Sequence, residues 1–329
     1  MTSLPDLRSR IAGSLLAGAL GEASANSSHG TGFGSATQLT LYTVDGLTEA
    51  LEWANDGVAA DETACLWLAY LRWLGTQGEL PPSSAPAPPA RWIDRQEVLR
   101  RRHHPDPVTL RSLASGEMGT RQRPLETNDG GPGALGRSAP FGLVANVPAA
   151  MIERLTLDAA AITHGNASAQ VPAAVFAALV HEIAINGLPL GEAVAAAAST
   201  AKDLDAEGLA ACLQDLVRSA ASDRPTADAG ESDAGQSDAG ESDAAGILCR
   251  AVRLVLATSN SDGEAHVSAV LAASADREGR DASVASAVAG NIVGALHGVE
   301  NLPEAALGQL DGVEVIREIA GRLASAIGS

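Results

Sequence analysis

Residues 61–74, Asp61-Glu62-Thr63-Ala64-Cys65-Leu66-Trp67-Leu68-Ala69-Tyr70-Leu71-Arg72-Trp73-Leu74, decide the fold class. Asp61 reads as an N-cap, because its short carboxylate can accept from the free amides of a first helical turn. The residues behind it are apolar around nearly the whole helical circumference, so this helix belongs in the centre of a core built by others. The stretch before it, residues 37–54, carries Thr37, Leu39, Leu41, Val44, Leu47, Leu51 and Ala54, spacings that draw one apolar stripe along a helix. Further outward, the same period predicts helices near 4–20, 138–161, 170–186, 190–200, 203–221, 245–257, 263–274, 281–297 and 313–327. Ala and Leu dominate, and alternating apolar and polar stretches of strand length are scarce. The expectation is an all-α protein, one compact multi-helix domain over residues 1–329.

Two segments interrupt the helical pattern. Residues 80–90, LPPSSAPAPPA, predict an extended surface loop, since proline fixes φ and removes amide donors. Residues 222–244 repeat DAGESDAGQSDAGESDA, offer nothing to bury, and predict a disordered acidic insertion between two helices. Its seven acids, Asp223, Asp228, Glu231, Asp233, Asp238, Glu241 and Asp243, against Arg224 account for −6 of the chain's net charge of −18. The remainder is therefore acidic as well, and a surface of that sign repels phosphate backbones and anionic lipid, which excludes a general nucleic-acid binder.

Composition excludes more. Lys202 is the only lysine and Asp203 follows it, so no GxxxxGK[ST] phosphate loop exists. Cys65, Cys212 and Cys249 are far apart and odd in number, which supports neither a disulfide framework nor a clustered zinc site and fits a reducing cytoplasm. Arg8 and Arg10, the apolar run to Leu20 and Ala23-Ser24-Ala25 imitate a secretory signal; Gly13, Ser14 and Gly18 within the run favour a buried first helix. No run long and apolar enough for a membrane span is read. The bias to Arg, Ala and Gly is that of a GC-rich bacterial genome.

Few motifs carry chemistry alone. Gly131-Pro132-Gly133-Ala134-Leu135-Gly136 fits GxGxxG, but RQRPLETND before it is no strand, so a dinucleotide fold is not supported. What remains is a tight turn, or a glycine loop whose amides, ahead of a helix near Ser138, cradle a diphosphate. His103-His104-x-Asp106 follows Arg100, Arg101 and Arg102 and reads as a solvated basic turn. His181-Glu182 fails as HExxH because Ile185 closes it, and His164 and His297 read as capping or core histidines. No GxSxG elbow is present.

Five segments then fall into a pattern: RIAGSLLAGALG (10–21), SATQLTL (35–41), GPGALGRSAP (131–140), AITHG (161–165) and Asp281 through Gly298. Order and spacing resemble the ADP-ribosylglycohydrolase family, of the dinitrogenase-reductase-activating glycohydrolase and ADP-ribosyl-acceptor hydrolase type, over nearly the whole chain. The segments are similar to that family's lead into GDAxGxxxE, its DDTQMTL, GxGAxMRSAP and THG motifs, and GDSDSTxxxxGNxxGALHG. The resemblance implies an all-α domain that grips ADP-ribose with a magnesium pair held by carboxylates and cleaves a glycosidic bond. It also implies a loss. The positions of the metal ligands are Ser35, Ala36, Thr37, Asp281, Ser283 and Ala285, so Asp281 alone keeps a motif aspartate there. The Asp of GDAxGxxxE is Glu22 and its closing Glu is His29. Divalent ions a few ångströms apart need several carboxylates, and magnesium demands near-ideal oxygen geometry, so the pair is expected to be absent.

The binding segments are retained. The resemblance puts ligand against Asn128, Gly130, Gly131, Gly133, His164 and Asp281. The leading expectation is a catalytically inactive homologue that binds ADP-ribose or an ADP-ribosylated partner. One alternative is a hydrolase of altered, metal-independent mechanism, with Glu22, His29 and Asp281 converging as its acid–base groups. The other is a ligand-free scaffold whose acidic 222–244 segment recruits a basic protein. Sequence leaves all three open.

Overall fold

A computed structural model describes residues 5–25, 32–103, 105–221, 243–275 and 279–328. His29, His104 and all of the acidic segment except Asp243 and Ala244 lie outside these. The described residues contain helices and no strand: α1 (Leu7–Ala25), α2 (Ser35–Asn55), α3 (Glu62–Thr76), α4 (Pro107–Ala114), α5 (Ala139–Gly142), α6 (Ala149–Ala161) and α7 (Ala167–Ala184), followed by α8 (Leu190–Asp203), α9 (Glu207–Ala221), α10 (Ala244–Ala257), α11 (Glu264–Ala275), α12 (Arg280–His297), α13 (Glu304–Leu307) and α14 (Val313–Ile327).

The decisive stretch is α3. Asp61 caps it, accepting from the Ala64 amide at 3.0 Å. Leu66, Tyr70, Trp73 and Leu74 are fully buried, and the Trp73 indole N–H donates to Gln38 Oε1 of α2 at 3.1 Å. The most extensive helix pair is α1 with α12. It is made possible by small residues: a Cβ on Gly290 or Gly294 would strike the backbone of Ala17 or Gly13, and one on Gly18 would strike Asn291. Asn291 Nδ2 donates to the Ser14 carbonyl at 2.8 Å across that seam. The first apolar helix is thus buried against the second-last long one, and this seam fixes where the N-terminus of α12 lies.

Several expectations change. The predicted helix 138–161 is broken: a 3-10 turn (Leu135–Arg137) leads into α5, and α6 starts only after Asn146 at φ 63 and Pro148 at its N-cap. Proline supplies no amide and biases the residue before it away from helix, so the apolar period runs through a break in the chain. The helix α4 was missed because its eight residues are too short to show a period. Cys212 of α9 and Cys249 of α10 are joined as a disulfide, contrary to the expectation of unpaired thiols. Packing of α9 against α10 brings together cysteines 37 positions apart, and sequence spacing does not reveal that. Residues 79–91 hold no helix, as the prolines demand. By length and composition α7 is apolar enough to cross a membrane, and 72% of it is buried inside the protein.

Candidate active site

Two adjoining cavities form one cleft. The smaller, ≈ 290 Å³, lies between the end of α1, the starts of α2 and α12, and the glycine loop. The larger, ≈ 490 Å³, runs over the loop past α4 to the start of α10. Asp106, Pro132 and Arg280 line both.

The wall of the smaller cavity begins with α2. Its N-cap is Gly34, which has no side chain to offer, so Glu22 reaches across from α1 instead. Glu22 Oε1 accepts from the Ala36 amide at 3.1 Å and Oε2 from the Thr37 amide at 2.9 Å. Burial pushes its carboxyl upward, opposed by the bonds from Thr37 and Ala36. Glu22 therefore serves as a remote helix cap with both oxygens engaged. Opposite it, Gly136 sits against Ala36 and Val284, each 3.3 Å from where a Cβ would lie.

Asp106 forms the junction. It caps α4, its Oδ2 accepting from the Thr109 amide and hydroxyl at 2.7 Å each. The same oxygen lies 3.4 Å from His164 Nε2. Burial alone would raise its carboxyl, yet His164 and Thr109 outweigh this and hold it well below the usual carboxylate range. His164 Nδ1 is 2.8 Å from Thr163 Oγ1, which accepts from the buried Arg137 guanidinium at 2.6 Å. Arginine only donates, so Thr163 Oγ1 accepts from Arg137 and keeps both its own proton and a second lone pair with which to meet His164 Nδ1, while Nε2 faces Asp106. Gly133 closes over this pair: a Cβ there would come within 2.7 Å of both Asp106 Oδ2 and His164 Nε2.

The structure sorts the predicted residues. Asn128, Gly130, Gly131 and Asp281 line the larger cavity, and Gly133, Ser35, Ala36 and Ser283 the smaller. His164 is fully buried, lines neither cavity and reaches the cleft only through Asp106. Thr37 and Ala285 are buried among neighbouring side chains and line neither cavity. Glu22 lines the smaller cavity and Asp281 the larger, while His29 lies outside the described residues. The glycine loop also differs from the expected phosphate cradle, because the Gly131 amide already donates to Asp129 Oδ1 at 2.7 Å and Pro132 has none. Sequence reasoning read Asp106 as part of a solvated basic turn and did not single out Arg280. The pattern Asp106-Pro107-x-Thr109, an N-cap followed by proline at the first helical position, was the available signal for the former.

Among the described residues no group of three or more His, Cys, Asp or Glu side chains is placed to hold a metal ion. At the positions where the resemblance puts metal ligands, the smaller cavity is lined by Ser35, Ala36 and Ser283, with Val284 and the cationic Arg280 beside them.

The described residues form an all-helical fold with a two-part cleft where the N-termini of α2 and α12 meet the glycine loop. The sequence profile described as ADP-ribosylglycohydrolase matches residues 3–329, and the chain belongs to that family. Among solved structures it is similar to an ADP-ribosylglycohydrolase-related protein complex, with TM-score 0.61 and 20% identity over 98% of this chain and 99% of that one. That likeness concerns the fold alone. No curated protein matches the sequence.

Proposed function

We propose that this family member binds ADP-ribose, or an ADP-ribosylated partner, in the two-cavity cleft without the family's magnesium pair and without turning it over. The observation that carries this is a preformed cleft whose metal positions have changed chemistry. The ≈ 290 and ≈ 490 Å³ cavities have the size of small-molecule sites. At the family's metal positions the donor set does not fit two divalent ions: Ser35, Ala36 and Ser283 offer no carboxylate, Glu22 is committed to the amides of α2, and Asp281 lines the larger cavity, where the described acids form no group of three placed to hold a metal. A bacterial cytoplasm is the location this reading takes.

Thermal-shift titration with ADP-ribose alone, magnesium alone and both is the direct test. Binding to the native state stabilises by RT ln(1 + [L]/Kd), about 2.7 kcal/mol at a hundredfold excess over Kd. The expected outcome is a shift with ADP-ribose that chelator leaves unchanged. A shift that requires magnesium overturns the metal-free reading, and no shift at saturating ADP-ribose favours the scaffold. One observation favours a second reading, a metal-independent hydrolase: Asp106 is an ionised carboxylate on the cleft wall, oriented by His164. Release of ADP-ribose from an ADP-ribosylated peptide in excess chelator, abolished by Asp106→Asn, is its signature.

A further inference from the structure

Two long helices point their N-termini into the smaller cavity, and among the described residues a side chain caps only that of α2. The α2 amides are filled by Glu22. At α12 the N-cap is Gly279, which provides no side-chain bond. The first intrahelical bond there runs from the Ser283 amide to the Gly279 carbonyl at 2.9 Å, so the amides of Arg280, Asp281 and Ala282 precede the helical ladder. A helix of 18 residues ends here with the positive pole of its dipole toward the cavity.

A second, independent feature marks the same spot. Ser283 is 5% exposed, lines the smaller cavity, and its hydroxyl has no hydrogen-bond partner among the described residues. A buried hydroxyl without a partner is costly, and a ligand oxygen is the partner that this wall lacks. Arg280, where the matching motif opens with glycine, lines the cavity beside it. Among the described residues, the carboxylates near this wall have partners of their own or line the other cavity, and Arg280, opposite in sign to Glu22 and Asp106, lines the same cavity as they do. Both Glu22 oxygens bond to α2, Asp106 Oδ2 is held by Thr109 and His164, and Asp281 lines the other cavity.

We infer that the smaller cavity is an oxyanion site: a phosphate-type group seated on the N-terminus of α12, gripped by Arg280 and by the Ser283 hydroxyl. The sign of the site is thereby inverted, from one where carboxylates gather cations to one where donors gather an anion. This deepens the proposed function by naming the ligand group that the smaller cavity takes, and it rests on that reading only for the identity of the whole ligand.

Inorganic phosphate is the probe. Calorimetry or amide-shift titration on the full chain, against chloride at matched ionic strength, should show saturable phosphate binding. Arg280→Gln and Ser283→Asp should each weaken it by about tenfold or more, since each removes or opposes a charge-assisted bond, and Ser283→Ala by less. Arg280 is exposed, so R280Q keeps the test decisive should S283D fail to fold. Phosphate binding no better than chloride, or R280Q binding as the wild type does, overturns the inference. The ADP-ribose arm separates the two claims. Arg280-dependent phosphate binding without ADP-ribose binding leaves the oxyanion site standing and removes the nucleotide reading. ADP-ribose binding that neither R280Q nor phosphate competition affects does the reverse.

Discussion

Asp106 shows how one residue joins stability to the site. Its carboxyl is held ionised against its burial by His164 and Thr109, so its folded pKa lies below the unfolded value of about 3.9. As pH falls, the unfolded chain takes up that proton first. The contribution is therefore present above the ordinary carboxylate range and lost as pH falls through the folded value. Asp106→Asn should cost about 1–3 kcal/mol at neutral pH, by weakening the α4 cap and the contact with His164. It should also flatten the acid limb of the stability curve. Urea melts from pH 7 to pH 3 check this, and parallel loss in wild type and variant would refute the assignment. In sequence Asp106 closes a run of arginines and histidines and looks solvated. Its partner His164 arrives from 58 positions away, which no local pattern announces.

At the scale of elements, the seam between α1 and α12 sets the cleft. Gly290 and Gly294 meet α1 backbone, which cannot rotate aside as a side chain can. Gly294→Ala should therefore destabilise the fold by about 2 kcal/mol or more, and displace the α12 N-terminus with its cavity residues. Gly321 of α14 is the contrast, because a Cβ there meets nothing within 4 Å. Gly321→Ala should stabilise by about 0.5–1 kcal/mol through helix propensity. Denaturant midpoints of the two variants measured side by side give the check, and equal shifts in both would mean the seam is looser than described. The presence of small residues in the first helix was visible in sequence, whereas their purpose depends on the helix they face.

For the whole molecule, the link between Cys212 and Cys249 ties α9 to α10, whose start bonds back to the glycine loop through the Ala244 amide and the Gly130 carbonyl at 3.0 Å. Closing a loop of this length stabilises a chain by about 2–4 kcal/mol in the chain-entropy account. Reductant, or Cys249→Ser, should lower the urea midpoint accordingly, and thiol alkylation with mass measurement should find Cys65 alone free in the untreated protein. Three alkylated cysteines and a midpoint indifferent to reductant would show that the link does not form. Because disulfides are transient in a reducing cytoplasm, the same mass measurement on protein taken from its cell also bears on location.

The sequence by itself determined the helical class, the family, and the long elements α2, α3, α10, α12 and α14 to within a few residues. Each of these is a local matter: a 3.6-residue period and a capping side chain act within one element, and motif order survives in the string of letters. Tertiary structure decided the rest. The pairing of Cys212 with Cys249, the burial of His164 behind Gly133, and the use of Glu22 as a cap for another helix all join residues distant in sequence. Whether a carboxylate serves a ligand, a metal or a helix depends on which amides and cations packing brings within about 3 Å, and that distance is fixed only when the helices meet.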